Sequence, residues 1–484
     1  MSDRPNILFL MPDQLRHDFL GCYGASFART PNIDALAANG VRYDRAYSAS
    51  PVCVPARASL LTGMNALKTG VADNGSWLRP DRAACGVPTW PEILGEAGYY
   101  TAAVGKMHFY PWNSSLGFAY RVAAEDKRWL EVRDDYWHFL HERGLRKYHG
   151  NEHDGYQENR GAIVSRLPWD AYWDRYVGQE ACRFIGAHGQ DGPWAMMVGF
   201  PGPHCPYDPC AEFLDAFDPA DMPDSVPVAS DQPPAFRDGN VRGNRAPWNG
   251  VDYAEFTEAH KKKIRAHYSA MVAQIDHEVG EIVDALRDAG QLDNTLVIFA
   301  SDHGDYLGDH GLIGKGTFYE SSTHVPMIVR PPGGGEADSS DALVELTDVT
   351  ATILAAAGCE TPPHMDSRVL PVGAAGARER DHIIGIVRGG WMNFDGRHKL
   401  AKYAHGATQL FDVAADPGEQ TDLAGDPAMW DVLRELDSQL TSEIMRSAIA
   451  GHTDKRLDAT ASSGDQRFGT EAWQRTYPGP ATRA

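Results

Sequence analysis

Ser50-Pro51-Val52-Cys53-Val54-Pro55-Ala56-Arg57-Ala58-Ser59-Leu60-Leu61-Thr62-Gly63 places a thiol between two prolines, with an arginine one helical turn beyond it. Pro55 has no N–H and a fixed φ, which suits the first turn of a helix. The stretch reads as a loop, a cysteine at a helix mouth, and a helix through Arg57 and Leu61. A helix mouth offers free N–H groups and the positive end of the dipole, so it welcomes an anion. Arg57 can face the same way as Cys53. The plainer reading is a buried structural cysteine beside a surface arginine, since free cysteines are usually core.

Working outward, four apolar runs read as strands, and each ends in polar residues. Asn6 to Met11 leads into Pro12-Asp13-Gln14. Tyr99 to Val104 leads into Gly105-Lys106-Met107-His108. Trp194 to Phe200 leads into Pro201-Gly202-Pro203-His204, and Asn294 to Ala300 into Ser301-Asp302-His303. In open α/β sheets, ligands gather beyond the carboxyl ends of the strands. Asp13 and Gln14 offer oxygen ligands for a hard cation, and Asp302 and His303 form a second candidate pair. Lys106 and His108, two apart on extended chain, project to one side. His204 has an unperturbed pKa near neutrality, which suits a proton donor. Each has a plain alternative: Asp13 as a helix cap, Lys106 as a solvated charge, His204 as a surface-loop residue.

Between these runs, Thr30 to Gly40 and Pro88 to Gly98 read as helices, and Val41 to Ala46 as the second strand. Lys261 to Ala289 is the strongest helix, and Thr323 to Val329 is a further strand. Residues 110–190 read as helices and long loops partly covering the site, and 215–253 as one long loop. Near Gly373 the pattern changes to short strands at Ile383–Val387, Trp391–Phe394, His398–Tyr403 and Leu410–Val413, followed by a helix over Pro427–Ser447. The expected division is 1–372, 373–447 and a polar arm, 448–484.

The chain has 484 residues, a net charge of −21 and seven cysteines with no C-x-x-C pair. Such acidity argues against a nucleic-acid partner and against adhesion to an anionic membrane. An anionic substrate must then be held by a local positive pocket. The scattered cysteines do not suggest a disulfide framework. No run reaches membrane-spanning length, and the N-terminal run is too short for a secretory segment. The default expectation is a cytoplasmic protein with reduced thiols.

Cys53-x-Pro55-x-Arg57 followed by Ala58 to Gly63, Thr30-Pro31-Asn32-x-Asp34, Gly105-Lys106-x-His108, Pro203-His204-x-Pro206, Asp302-His303 and Gly308-Asp309-His310-Gly311 with Lys315 stand in this order along the chain. In these motifs the sequence resembles the type I, formylglycine-dependent sulfatases of the alkaline phosphatase superfamily, nearest to choline sulfatases, arylsulfatases and phosphonate monoester hydrolases. Ala56 stands where that family usually has Ser. The resemblance implies an α/β fold: a large, mostly parallel sheet sandwiched by helices, with a smaller C-terminal α+β subdomain containing an antiparallel sheet. It implies that Cys53 is converted to formylglycine (3-oxoalanine) by a formylglycine-generating enzyme. It further implies one divalent cation on Asp13, Gln14, residue 53, Asp302 and His303. Arg57, Lys106, His108, His204 and Lys315 would be catalytic, with Lys106, His204 and Lys315 binding the substrate. The family favours Ca²⁺; Mn²⁺ follows because a nitrogen ligand is unusual for Ca²⁺.

The expected reaction is hydrolysis of a small anionic sulfate ester by a homo-oligomer. The alternative is hydrolysis of a phosphonate monoester or phosphodiester with the same nucleophile. A two-metal phosphatase would need a Ser or Thr nucleophile and more ligands. A catalytically dead binding module would keep an unmodified thiol at Cys53.

Overall fold

The computed structural model describes residues 4–83, 86–188, 192–371 and 380–450. Its strands, in chain order, are β1 (Asn6–Asp13), β2 (Val41–Tyr43), β3 (Ala46–Tyr47), β4 (Tyr100–Gly105), β5 (Tyr120–Ala123), β6 (Trp194–Pro203), β7 (Thr295–Ala300), β8 (Met327–Arg330), β9 (Asp338–Ser340), β10 (Val344–Glu345), β11 (Ile383–Val387), β12 (Gly390–Phe394), β13 (His398–Tyr403) and β14 (Thr408–Asp412). The helices that bear on function are α1 (Cys53–Thr62), α2 (Trp173–His188), α3 (Pro234–Asn244), α4 (Glu258–Asp288) and α5 (Trp430–Ala450).

Eight strands form one sheet in the order β5-β4-β6-β1-β7-β8-β2-β9. β1 is buried along its whole length and pairs in parallel with β6 and β7. Its side chains alternate between two cores, as strand geometry requires. Leu8 and Leu10 join the side chains of α2 and α4 on one face. Ile7, Phe9 and Met11 join Leu60 and Leu61 of α1 on the other. A sheet covered on both faces needs near-continuous apolar strands, which is why β1, β6 and β7 read so clearly in the sequence. The pairing of β1 with β6 shifts register between Pro12 and Asp13. Irregularities of this kind re-aim side chains next to active sites.

The sheet is mixed at one side, because β8 runs antiparallel to both β7 and β2. The expected strand Val41–Ala46 is two short strands, and the second, β3, leaves the main sheet to pair with β10. The segment 215–253 is not one loop: it contains α3. Pro234 occupies the first turn of that helix, and only Phe236 and Asn244 are buried among its residues, so no apolar periodicity marks it. Residues 110–190 contain the edge strand β5 and α2 beside their loops. β11 to β14 form a separate four-stranded antiparallel sheet, against which α5 packs. The expected boundary at 372/373 falls outside the described residues, as does the arm from 451 onward. Among the described residues no helix is long and apolar enough to cross a membrane, and the six cysteines described are free thiols.

α2 and α4 pack closely because Gly178 faces Glu278; a Cβ on Gly178 would collide with that carboxylate. Burial pushes Glu278 up to about 8 despite the Arg175 guanidinium 2.9 Å away. An unfolded glutamate ionises near 4.5, so between these values the native state holds the extra proton. Stability contributed by this site is therefore full at low pH and is lost as the pH rises towards 8. Glu278→Gln should be more stabilising at pH 8 than at pH 5 by roughly 2 kcal/mol. Urea unfolding at the two pH values tests this, and a pH-independent difference would refute it.

Candidate metal and anion site

Cys53 is the first residue of α1, and the extended Val52 precedes it. The Asn74 side chain accepts from the Val54 N–H at 3.0 Å and closes the helix mouth. β1 and β7 are neighbours in the sheet, so their carboxyl ends lie side by side and face this mouth. Donor atoms of Asp13, Cys53, Asp302 and His303 all lie within 4.8 Å of one another, and all four residues are buried. The Cys53 Sγ is 3.2 Å from His303 Nε2 and 3.8 Å from Asp13 Oδ1. His303 Nδ1 is 2.9 Å from the Gly304 carbonyl. With Nδ1–H donating there, the Nε2 lone pair is left for the cluster, the arrangement metal-binding histidines show.

Arg57 holds this group together. Its Nε donates to Asp302 Oδ2 at 2.9 Å, its Nη2 to Asp13 Oδ2 at 3.2 Å, and its Nη1 to the Lys106 carbonyl at 2.7 Å. Lys106 Nζ lies 2.7 Å from Asp13 Oδ2 and 3.3 Å from Asp126 Oδ2. Burial and Cys53 push the Asp13 carboxyl up, yet Lys106, His204 and Arg57 hold it well below the usual range. Asp302 is raised, chiefly by burial and by Asp13 beside it. Two buried carboxylates, an imidazole of defined tautomer and the residue 53 side chain converge on one point. The donor set fits a single divalent cation.

The anion-facing side lies next to it. Lys315 Nζ donates to the Gln14 amide oxygen and is 2.9 Å from His204 Nε2. His204 Nδ1 is 2.8 Å from the Cys205 carbonyl. Burial, then Lys315, Arg128 and Lys106, push His204 down to about 3. Burial would raise the Cys53 thiol, but Lys315 and His303, with hydrogen bonds from His108 and His204, hold it well below its ordinary value. Gln14 and His108 both adopt positive φ, at 72° and 59°, a strained backbone that recurs where side chains are aimed for function. A cavity of about 450 Å³ opens here, lined by Gln14, His108, Arg128, Trp129, His204 and Lys315 among others.

All ten residues singled out in the sequence meet here, with two differences in detail. Gln14 turns its amide nitrogen to Asp305 and its oxygen to Lys315. Arg57 lies among the carboxylates instead of facing open cavity. Sequence reading missed Asp126 and Arg128. They follow β5, an edge strand too short and too polar to stand out. Had β5 been recognised, its carboxyl end would have carried the signal that revealed Asp13 and Asp302. It also missed Asn240 of α3. That side chain donates to the Ile313 carbonyl at 2.7 Å and accepts from the Ile313 N–H at 3.2 Å, pinning the loop that carries Lys315.

Comparison with known proteins bears on this geometry. The sulfatase family model matches residues 5–359. An arylsulfatase of Clostridium perfringens is 30% identical over 87% of this chain and 90% of its own. A choline-sulfatase of Rhizobium meliloti is 30% identical over 96% of this chain and 90% of its own. Among solved structures, a phosphonate monoester hydrolase from Silicibacter pomeroyi shares the fold, with a TM-score of 0.76 at 23% identity, covering 97% of this chain and 100% of its own. A strand-end cluster built on the Cys53 helix and a family match over most of the chain lead to one conclusion: this chain is an enzyme of the sulfatase family.

Proposed function

We propose that the protein hydrolyses a sulfate monoester, with residue 53 acting as formylglycine after maturation by a formylglycine-generating enzyme. The observation that carries this reading is the position of Cys53, at a helix mouth where a metal donor set and an anion-facing pair, Lys315 and His204, meet. In this reading the Sγ atom marks where the oxygen of the formylglycine hydrate would stand. Asp13, Asp302, His303 and residue 53 would hold one divalent cation, with the Gln14 amide oxygen as a further donor. Ca²⁺ is favoured, and the His303 nitrogen makes Mn²⁺ next. The bound cation would lower the pKa of the attacking hydroxyl and offset charge on the ester oxygens.

The chain's own residues do the rest. Lys106 and Lys315 neutralise sulfate oxygens, which is the largest electrostatic demand of the reaction. Arg57 fixes the two carboxylates, and His108 and His204 orient the hydroxyls on residue 53. The ligand-free His204 is neutral, with Nδ1–H committed to the Cys205 carbonyl. Protonation of the leaving group therefore runs through Nε2, which takes its proton from water while Lys315, 2.9 Å away, keeps its charge for the sulfate. The negative charge of a bound ester offsets the cations that depress His204, so it favours that protonation. Residues 1–372 would form the catalytic unit and 373–447 the smaller subdomain.

Four expected outcomes test it. In protein from a host that makes formylglycine, the peptide containing Cys53 should be about 18 Da lighter than its thiol form. That protein should hydrolyse 4-nitrophenyl sulfate faster than an aryl phosphonate monoester; the reverse ranking favours the alternative substrate class, and an intact thiol without turnover sinks the nucleophile assignment. Lys315→Ala should lower kcat by about 10²–10³-fold. Elemental analysis should find a single cation per chain, and His303→Ala should lose it to a chelator that leaves the parent protein loaded.

A further inference from the structure

Arg128, whose side chain is 13% exposed, differs from three fully engaged arginines of the interior, Arg57, Arg265 and Arg16. Arg57 spends all three of its nitrogens, on Asp302, Asp13 and the Lys106 carbonyl. Arg265 does likewise, with Nε on the Leu307 carbonyl, Nη1 on the Pro223 and Asp224 carbonyls and Nη2 on Asp309. Arg16 does so too: Nε and Nη2 bind Asp18, and Nη1 binds Asp309 and two carbonyls. Arg128 commits only one edge. Its Nε donates to Asp126 Oδ1 at 2.8 Å and its Nη2 to Asp126 Oδ2 at 2.6 Å. Among the described residues its Nη1 has only the Cys205 sulfur, at 3.9 Å, a weak acceptor.

The guanidinium is nevertheless held firmly. Trp248, itself 47% exposed, covers its face with the ring centroid 4.8 Å from Cζ. Arg128 lines the same cavity as His204 and Lys315, and its Nη2 is 3.5 Å from His204 Nε2. It therefore lies on the side where the leaving group must sit. The opposite wall leaves room: Gly239 and Gly243 of α3 line the cavity, and a Cβ on either would meet nothing within 4 Å. Gly239 lies inside α3 and Gly243 in its last turn, packing demands neither, and the interior glycine costs about 1 kcal/mol relative to alanine.

The charges agree. Lys315 answers the single negative charge of a sulfate monoester, and Lys106 already faces Asp13 and Asp126. Lys315 rests on two neutral groups, Gln14 and the neutral His204. Asp126 is saturated, with both oxygens on Arg128 and one also near Lys106. A preorganised guanidinium with an uncommitted donor edge matches a carboxylate or sulfate oxygen.

We propose that Arg128 recognises a second anionic group, carried by the leaving-group half of the substrate. This rests on the sulfatase reading above. The enzyme would then prefer hydroxy-acid or disulfated substrates over esters of neutral alcohols.

The test compares 4-carboxyphenyl sulfate with the sulfate of its methyl ester. The parent enzyme should favour the carboxylate by about tenfold or more in kcat/KM, mainly through KM. In Arg128→Gln that ratio should collapse towards one, and Arg128→Lys should restore part of it. Equal rates for the two substrates in the parent enzyme, or an equal loss for both in Arg128→Gln, would overturn the proposal. Calorimetric titration with 4-hydroxybenzoate and its methyl ester gives a readout that needs no turnover. Selective binding of the acid, lost in Arg128→Gln, supports the subsite even if neither sulfate is hydrolysed, an outcome that would count against the sulfatase reading instead. No selectivity in that titration would also overturn the proposal.

Discussion

The buried guanidinium of Arg57 is the constraint on which the site depends. It bridges Asp13, at the end of β1, and Asp302, beyond the end of β7. Two carboxylates in a water-excluded place repel each other and resist ionisation. A planar cation that reaches both and also ties to the Lys106 carbonyl sets their separation before any ion arrives. The same residue sits on α1, whose first residue is Cys53. One side chain thus fixes residue 53, the proposed nucleophile, relative to the proposed ligands. Removing it would leave two buried carboxylates short of a partner, a costly state.

A second layer of charge governs protons. Lys106 and Arg128 share Asp126, whose carboxyl burial would raise but which they hold well below its usual range. Together with Lys315 they keep His204 neutral. The site thus suits an anion: positive charge is concentrated beside residue 53, and His204, the proposed proton donor, is neutral while that charge is unanswered. This local field works against a chain of net charge −21. It can do so because solvent and salt screen the distant acidic groups, while burial strengthens contacts of three ångströms.

Much of the architecture was legible because β1, β6 and β7 are buried on both faces, so their apolar runs cannot be mistaken for surface chain. Polar residues placed straight after such runs had one place to go, the carboxyl edge of the sheet. Asp13, Lys106, His204 and Asp302 were readable for that reason. The antiparallel direction of β8 was not, since nothing in Met327 to Arg330 encodes which way a neighbour runs. α3 was hidden because it buries little, and β5 because edge strands need only half a pattern. The finer contacts were out of reach for another reason. Whether Gln14 turns its oxygen to a cation or to Lys315 depends on Asp305, nearly 300 residues away.

The elements that were hardest to read are those that shape the leaving-group side. β5 delivers Asp126 and Arg128, α3 supplies a bare glycine wall, and the chain after α3 brings Trp248 over the guanidinium. The reacting centre, in contrast, is built at the ends of central strands. This division has a physical origin. A nucleophile, its ligands and its cations must hold their geometry within fractions of an ångström, which only fully packed strands and the buried α1 provide. Recognition of the departing alcohol needs shape and one or two charges, and edge elements with few buried residues can change those without disturbing the sheet. On the proposed reading, the motif-bearing core sets the kind of bond broken, and Arg128 with the surfaces around it selects the alcohol.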